Sequence, residues 1–164
     1  MKRTSLERIR YVCQAGIVAA LYTVLTLFIG AFGLANGAIQ LRVSEALCIL
    51  PVLFPAAIPG LTLGCLISNL LLSALWQDVL FGTLATLIGA IGARLLRKLP
   101  YLAPLPTVLS NTLIIPPVLA FAYHAEGGIP YLMLTVGIGE LLSAYLLGIL
   151  LFLALHRRGA KEIR

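Results

Sequence analysis

The first 34 residues contain the feature that most limits the fold: an apolar run from Tyr11 to Leu34 without one charged side chain. A helix that crosses a bilayer needs about 20 such residues. Comparable runs fill the rest of the chain, so that 60% of its 164 residues are hydrophobic and 11% charged. An average soluble domain is about 45–50% apolar and about 25% charged. A chain this short leaves much of its surface exposed when it folds, so water would face apolar groups that only lipid can accept. We therefore expect an all-α integral membrane protein. Barrel strands alternate apolar and polar residues, which these runs do not. The first run is also too long for a signal-peptide core, and no A-x-A site follows it, so it is expected to stay on the protein.

Polar and proline-rich breaks divide the chain into six segments, approximately 11–34, 44–58, 59–75, 79–96, 107–123 and 131–155, read as one six-helix transmembrane domain over residues 1–164. Asn36-Gly37 is a turn signal. Segment two is short and carries Pro51 and Pro55. Pro59 opens segment three in its first turn, where a missing N–H costs nothing. Pro116-Pro117 interrupts segment five. Lys and Arg gather on cytoplasmic flanks of spans. The leader holds Lys2, Arg3, Arg8 and Arg10, the link after segment four Arg94, Arg97 and Lys98, and the tail Arg157, Arg158, Lys161 and Arg164. Six spans put these eleven of the twelve basic residues on one side, with both termini cytoplasmic and only Arg42 opposite. The net charge of +6 thus reports orientation; no basic face interleaved with aromatics suggests nucleic acid.

Ionisable residues inside spans are costly and mark functional candidates. Glu140 lies well within the sixth segment with no Lys or Arg near it in sequence, which favours a ligand contact. Asn111 precedes Pro116-Pro117, and broken helices at membrane depth border cavities, which favours the site too. Asn69 is read as interhelical glue and Glu126 as a solvated loop residue. Glu45 follows Arg42 by three residues and is either half of a helical ion pair or part of a ligand mouth. Asp78 is either a complement to the positive helix start or a mouth residue. Carboxylates, amides and the aromatics Trp76, Tyr123 and Tyr131 suit a flat heterocycle with several N–H groups.

Small residues four apart permit close helix approach. Gly60 and Gly64 are adequately explained by packing within the bundle, whereas Ala15 and Ala19, beside the parallel pair Gly16 and Ala20, leave an external partner helix open. Cys13, Cys48 and Cys65 show no metal-site spacing and are read as small packing residues. Nucleotide-binding, zinc-protease and serine-hydrolase motifs are absent. No cofactor or metal is expected, and an enzyme is disfavoured.

The run Gly37-Ala-Ile-Gln-Leu-Arg-Val-Ser-Glu-Ala-Leu47, with Leu50-Pro51, Pro55-Ala-Ala-Ile-Pro-Gly60, Gly64-Cys65, Asn69-Leu70, Asp78-Val79, Phe81-Gly-Thr-Leu-Ala-Thr86, Ser110-Asn111 and Gly139-Glu140, resembles the queuosine-precursor transporter (QueT) family over nearly the whole chain. That resemblance implies the substrate-binding S component of an energy-coupling factor (ECF) importer in the cell membrane. Its expected form is an S-component-like bundle with an outer pocket roofed by the first outer loop. Its expected partners are a coupling transmembrane protein and two ATPases, docked through Ala15 and Ala19. Expected ligands are deazaguanines such as preQ0 or preQ1, recognised by Glu140 and Asn111, with Glu45, Arg42, Asp78, Gln40 and Trp76 completing the candidate set. Another vitamin-like heterocycle, a stand-alone proton-coupled transporter and a ligand-free structural protein are the alternatives.

Overall fold

The computed structural model describes residues 4–31 and 42–162, the side chains of 158–162 excepted. Helix α1, Ser5–Ala31, starts at a reciprocal cap. The Thr4 N–H donates to Glu7 Oε2 at 3.0 Å and the Glu7 N–H to Thr4 Oγ1 at 3.4 Å, which satisfies two of the donors that a helix start leaves bare. A 3₁₀-helix, Val43–Val52, follows. Then come α2, Ala57–Leu71, α3, Trp76–Leu95, and α4, Leu105–Phe121. The last span is a continuous rod of α5, Ile129–Glu140, a π-helical stretch, Leu141–Leu147, and α6, Gly148–Glu162. The six expected spans are all present as helices.

Three helical stretches, Ser5–Ala31, Trp76–Leu95 and Ile129–Arg157, are long and apolar enough to cross a membrane, and three shorter apolar helices accompany them. The distribution of side chains is inside-out. Leu63, Leu70, Leu80, Leu84, Leu109, Leu113 and Leu134 point outward, while Ser44, Glu45, Asn69, Asp78, Thr86, Thr107, Asn111, Glu140 and Ser143 are buried. Lipid outside and polar groups paired inside is the arrangement a hydrocarbon solvent dictates. Among the described residues the chain is an all-helical, multi-pass membrane bundle.

Helices α1 to α5 pack each on the next, and the 3₁₀-helix lies against α1, α3, the π-helical stretch and α6. Every residue from Ser44 to Pro51 is buried, which explains why the segment is apolar on all sides except at Glu45 and Ser44. Its ten residues rise about 2 Å each, so the segment reaches about 20 Å, farther than the same residues would as an α-helix. Pro55 cannot donate to a continuing helix, so the chain turns there and α2 begins at Ala57, with Pro59 in its first turn. At the other flank of the fold, Arg94 Nη1 donates to the Pro51 and Val52 carbonyls at 3.0 and 3.3 Å. These are terminal carbonyls that the 3₁₀-helix leaves unbonded.

Two findings correct the sequence-based expectations about packing. Ala15 and Ala19 do not face outward; both are buried. A Cβ added at Gly60 would lie 2.7 Å from the Ala15 carbonyl oxygen, and one at Gly64 would lie 2.9 Å from that of Ala19. The alanine stripe and the glycine stripe are two sides of one internal α1–α2 contact. Gly16 meets nothing within 4 Å, and Ala20 is exposed beside it, so these are the small residues that α1 presents outward. Pro116-Pro117, in turn, does not interrupt α4, which runs through both prolines. Cys48 and Cys65 are buried, as packing residues should be, but Cys13 is exposed.

Candidate functional site

Three buried carboxylates organise the interior, each from a different element. Glu45, 1% exposed, sits in the first turn of the 3₁₀-helix, whose close packing on α1 brings Tyr22 to it. The Tyr22 hydroxyl donates to Glu45 Oε1, and the Cys48 thiol, one 3₁₀ turn further on, donates to Oε2 at 3.0 Å. Beside them Thr26 Oγ1 donates to Ser44 Oγ at 2.8 Å. Both oxygens of Glu45 are thus occupied by neutral donors from the protein itself. The expected Arg42–Glu45 helical pair takes a different form. The Glu45 N–H bonds the Arg42 carbonyl at 2.9 Å, while the carboxylate turns to Tyr22 and Cys48.

Glu140, 6% exposed, lies at the end of α5 where the π-helical stretch begins. Its position is eleven residues past Ile129, which at 1.5 Å each is about 16 Å along the rod and deep in the membrane. A neighbouring helix supplies its partner: Asn111 Nδ2 of α4 donates to Glu140 Oε1 at 2.9 Å. Glu140 Oε2 is buried and has no hydrogen-bond partner. A π-helical turn inserted in an α-helix often marks a functional position. Here it follows the buried acid directly, and Ser143 within it returns its hydroxyl to the Gly139 carbonyl at 2.6 Å.

Asp78, 7% exposed, occupies the first turn of α3. The Tyr123 hydroxyl, just past α4, donates to Asp78 Oδ2 at 3.2 Å and accepts the Leu75 N–H at 3.1 Å. Asn69 Nδ2 donates to the Asp78 carbonyl at 3.5 Å and to Cys65 Sγ at 3.7 Å, the interhelical role expected of it. Asp78 Oδ1 is buried without a partner. Half-buried Arg42 lies within electrostatic reach of Asp78 and Glu45, and Glu140 lies within reach of both Glu45 and Arg42. Burial alone would weaken the guanidinium's charge, but Asp78 and then the Tyr22, Cys65 and Glu45 groups outweigh it, so the Arg42 pKa is held above its ordinary value.

The structure therefore brings Glu140 together with Asn111 and places Glu45, Arg42 and Asp78 around one electrically linked interior. Trp76 is not among them. It is 68% exposed and lines a shallow apolar groove on the outside of α2 and α3, with Leu66, Leu70, Val79 and Leu84. Gln40 and the expected roofing loop lie outside the described residues. Sequence reasoning missed Tyr22 and Cys48. Tyr22 is the one hydroxyl-bearing aromatic in the middle of segment one, and Cys48 follows Glu45 by one 3₁₀ turn; both signals were available. Among the described residues no group of three or more His, Cys, Asp and Glu side chains is placed to hold a metal ion.

The interior thus holds a buried amide–carboxylate pair, Asn111–Glu140, with one bare oxygen among apolar helices. Comparison with known proteins adds the family. The family model described as QueT transporter matches residues 12–157. The chain belongs to the QueT transporter family. All three carboxylates, Asn111 and Arg42 fall within the matched residues. The chain is also 46% identical over 72 residues to the queuosine precursor transporter QueT of Lactococcus lactis subsp. cremoris (strain MG1363), a stretch that covers 44% of this chain and 42% of that protein. No solved structure matches the chain. By its description that family is one of transporters, in keeping with a multi-pass membrane bundle.

Proposed function

We propose that this chain is the substrate-binding S component of an ATP-driven ECF-type importer of the cell membrane, and that it carries a deazaguanine precursor of queuosine such as preQ0 or preQ1. The observation that carries the proposal is the Asn111–Glu140 pair with its bare Glu140 Oε2. A deazaguanine offers a ring N–H beside an exocyclic amine, and a carboxylate accepts two such parallel donors. Asn111 then fixes the carboxylate and offers its own carbonyl to a further N–H. The L. lactis relative's name, a queuosine precursor transporter, points to the same ligand class.

The basic ends of the spans favour cytoplasmic termini, which turns Asp78, Arg42 and Tyr123 toward the outer side. In this reading the energy for uptake comes from a separate coupling protein and two ATPases. Docking on α1 would use the outward ridge of Gly16 and Ala20, since Ala15 and Ala19 are already covered by α2. The test is a melting-temperature screen of the purified chain in detergent against purine-like bases, followed by uptake assays with and without the ATPases. Stabilisation by a deazaguanine and uptake only with the ATPases is the expected result. A response to a different vitamin-like heterocycle alone would discard the substrate.

A second reading has one observation in its favour: a buried acid with a bare oxygen, Glu140, is also the form of a proton relay. A stand-alone secondary transporter would keep its uptake without the ATPases and lose it to a protonophore.

A further inference from the structure

The charge balance of the interior is fixed by the sequence. Of the twelve Lys and Arg residues only Arg42 lies away from the leader, the end of α3 and the tail, and residues 32–41 carry no charged side chain at all. No second Lys or Arg is therefore available to the cluster. Against this one guanidinium stand three carboxylates, Glu45, Asp78 and Glu140, each more than nine-tenths buried. Even with a proton on Glu140, two buried carboxylates share one cation. Uncompensated charge at this depth is costly, and a bound cation would remove the cost.

The single guanidinium acts most strongly on Asp78, yet the hydrogen bonding shows that Asp78 is also the carboxylate with the weakest set of donors. Glu45 has a donor on each oxygen, and Glu140 has the Asn111 amide on one. Asp78 has only the neutral Tyr123 hydroxyl on Oδ2, and Oδ1 has nothing. Its place in the first turn of α3 accounts for a negative charge there but leaves that buried oxygen bare. A planar amide–carboxylate pair such as Asn111–Glu140 matches the flat edge of a base. An ammonium group, with three donors in a cone, fits instead a lone carboxylate oxygen beside a phenol, whose ring adds attraction for a cation. Arg42, within electrostatic reach of both Asp78 and Glu140, ties the two positions into one interior.

We propose that Asp78 and Tyr123 form a separate subsite for a protonated primary amine, so that the transported base is a cation and Asp78 selects for its charge. This rests on the binding-subunit reading above and adds to it the charge of the ligand and the residue that reads it.

Two probes sharing the deazaguanine ring separate the claims: one bearing an aminomethyl arm, protonated at neutral pH, the other a neutral nitrile. Each is titrated calorimetrically into the purified full-length protein, its Asp78→Asn variant and its Glu140→Gln variant. The wild type is expected to bind the aminomethyl base at least about tenfold more tightly than the nitrile base. Asp78→Asn should weaken the aminomethyl base more than the nitrile base, bringing the two within about threefold, while Glu140→Gln weakens both alike. The unfolding temperature of each variant, measured alongside, shows that it is folded, and the wild-type comparison needs no variant. Equal binding of the two bases by the wild type would overturn the cation proposal and leave the deazaguanine reading standing. A preference that survives in Asp78→Asn but vanishes in Glu140→Gln would overturn the subsite. Binding of neither base would overturn the deazaguanine reading and this proposal with it.

Discussion

Glu45 and Glu140 are both buried acids in the middle of a membrane bundle, yet the protein treats them differently. Glu45 is closed: Tyr22 and Cys48 occupy both of its oxygens, and it lies on the 3₁₀-helix, which packs against α1, α3 and the last span. Glu140 is half open, with Asn111 on one oxygen and nothing on the other. A buried polar group whose hydrogen bonds are all made within the protein holds the fold, whereas one left incomplete at its own cost invites a ligand. On this comparison we propose Glu45 as a structural acid and Glu140 as the acid that meets the ligand.

The largest effect should come from breaking the closed acid. Glu45→Ala strands the Tyr22 hydroxyl and the Cys48 thiol in the interior, and is expected to cost about 3–5 kcal/mol of stability, read as a lower unfolding temperature in detergent. A variant that melts with the wild type but has lost ligand would reverse the two roles. Arg94→Met acts on the far end of the same 3₁₀-helix. Freeing the Pro51 and Val52 carbonyls should cost about 1–3 kcal/mol of stability, again seen in unfolding, with ligand affinity nearly unchanged. The smallest effect on the isolated protein is expected from Gly16→Leu. Its side chain enters open space, so unfolding and ligand binding should shift by less than about 0.5 kcal/mol. Uptake in cells should nevertheless fail if that ridge docks a partner helix. Normal uptake by Gly16→Leu would remove the ridge from docking.

Much of the fold could be read from run lengths alone, because a bilayer imposes a minimum on each span. The expected limits of segment four, 79–96, and the helix Trp76–Leu95 differ by a few residues. Burial on all sides removed the rest of the information. A segment that is apolar all round shows no periodicity, so nothing in Val43–Val52 distinguished a 3₁₀-helix from an α-helix. The same holds for α1, whose lipid-facing and bundle-facing sides are equally apolar. Two small-residue stripes one position apart then compete, and only the structure shows that Ala15 and Ala19 face Gly60 and Gly64. The buried polar groups were more legible, since an ionisable or amide group inside a span turns away from lipid; Glu140, Asn111 and Asp78 are all buried. Trp76 could have been set aside in advance. Residues two apart on a helix point about 200° away from each other, so Trp76 and Asp78 cannot both face the interior.

The distinction between the closed and the open acid is tested most directly by titrating preQ0 and preQ1 into the purified wild type and Glu140→Ala, with the unfolding temperature of each unliganded protein measured alongside. The account predicts that Glu140→Ala unfolds close to the wild type and loses about 2–5 kcal/mol of binding free energy for whichever base the wild type holds. Equal affinity in the two proteins would remove Glu140 from the site and contradict the account at its centre.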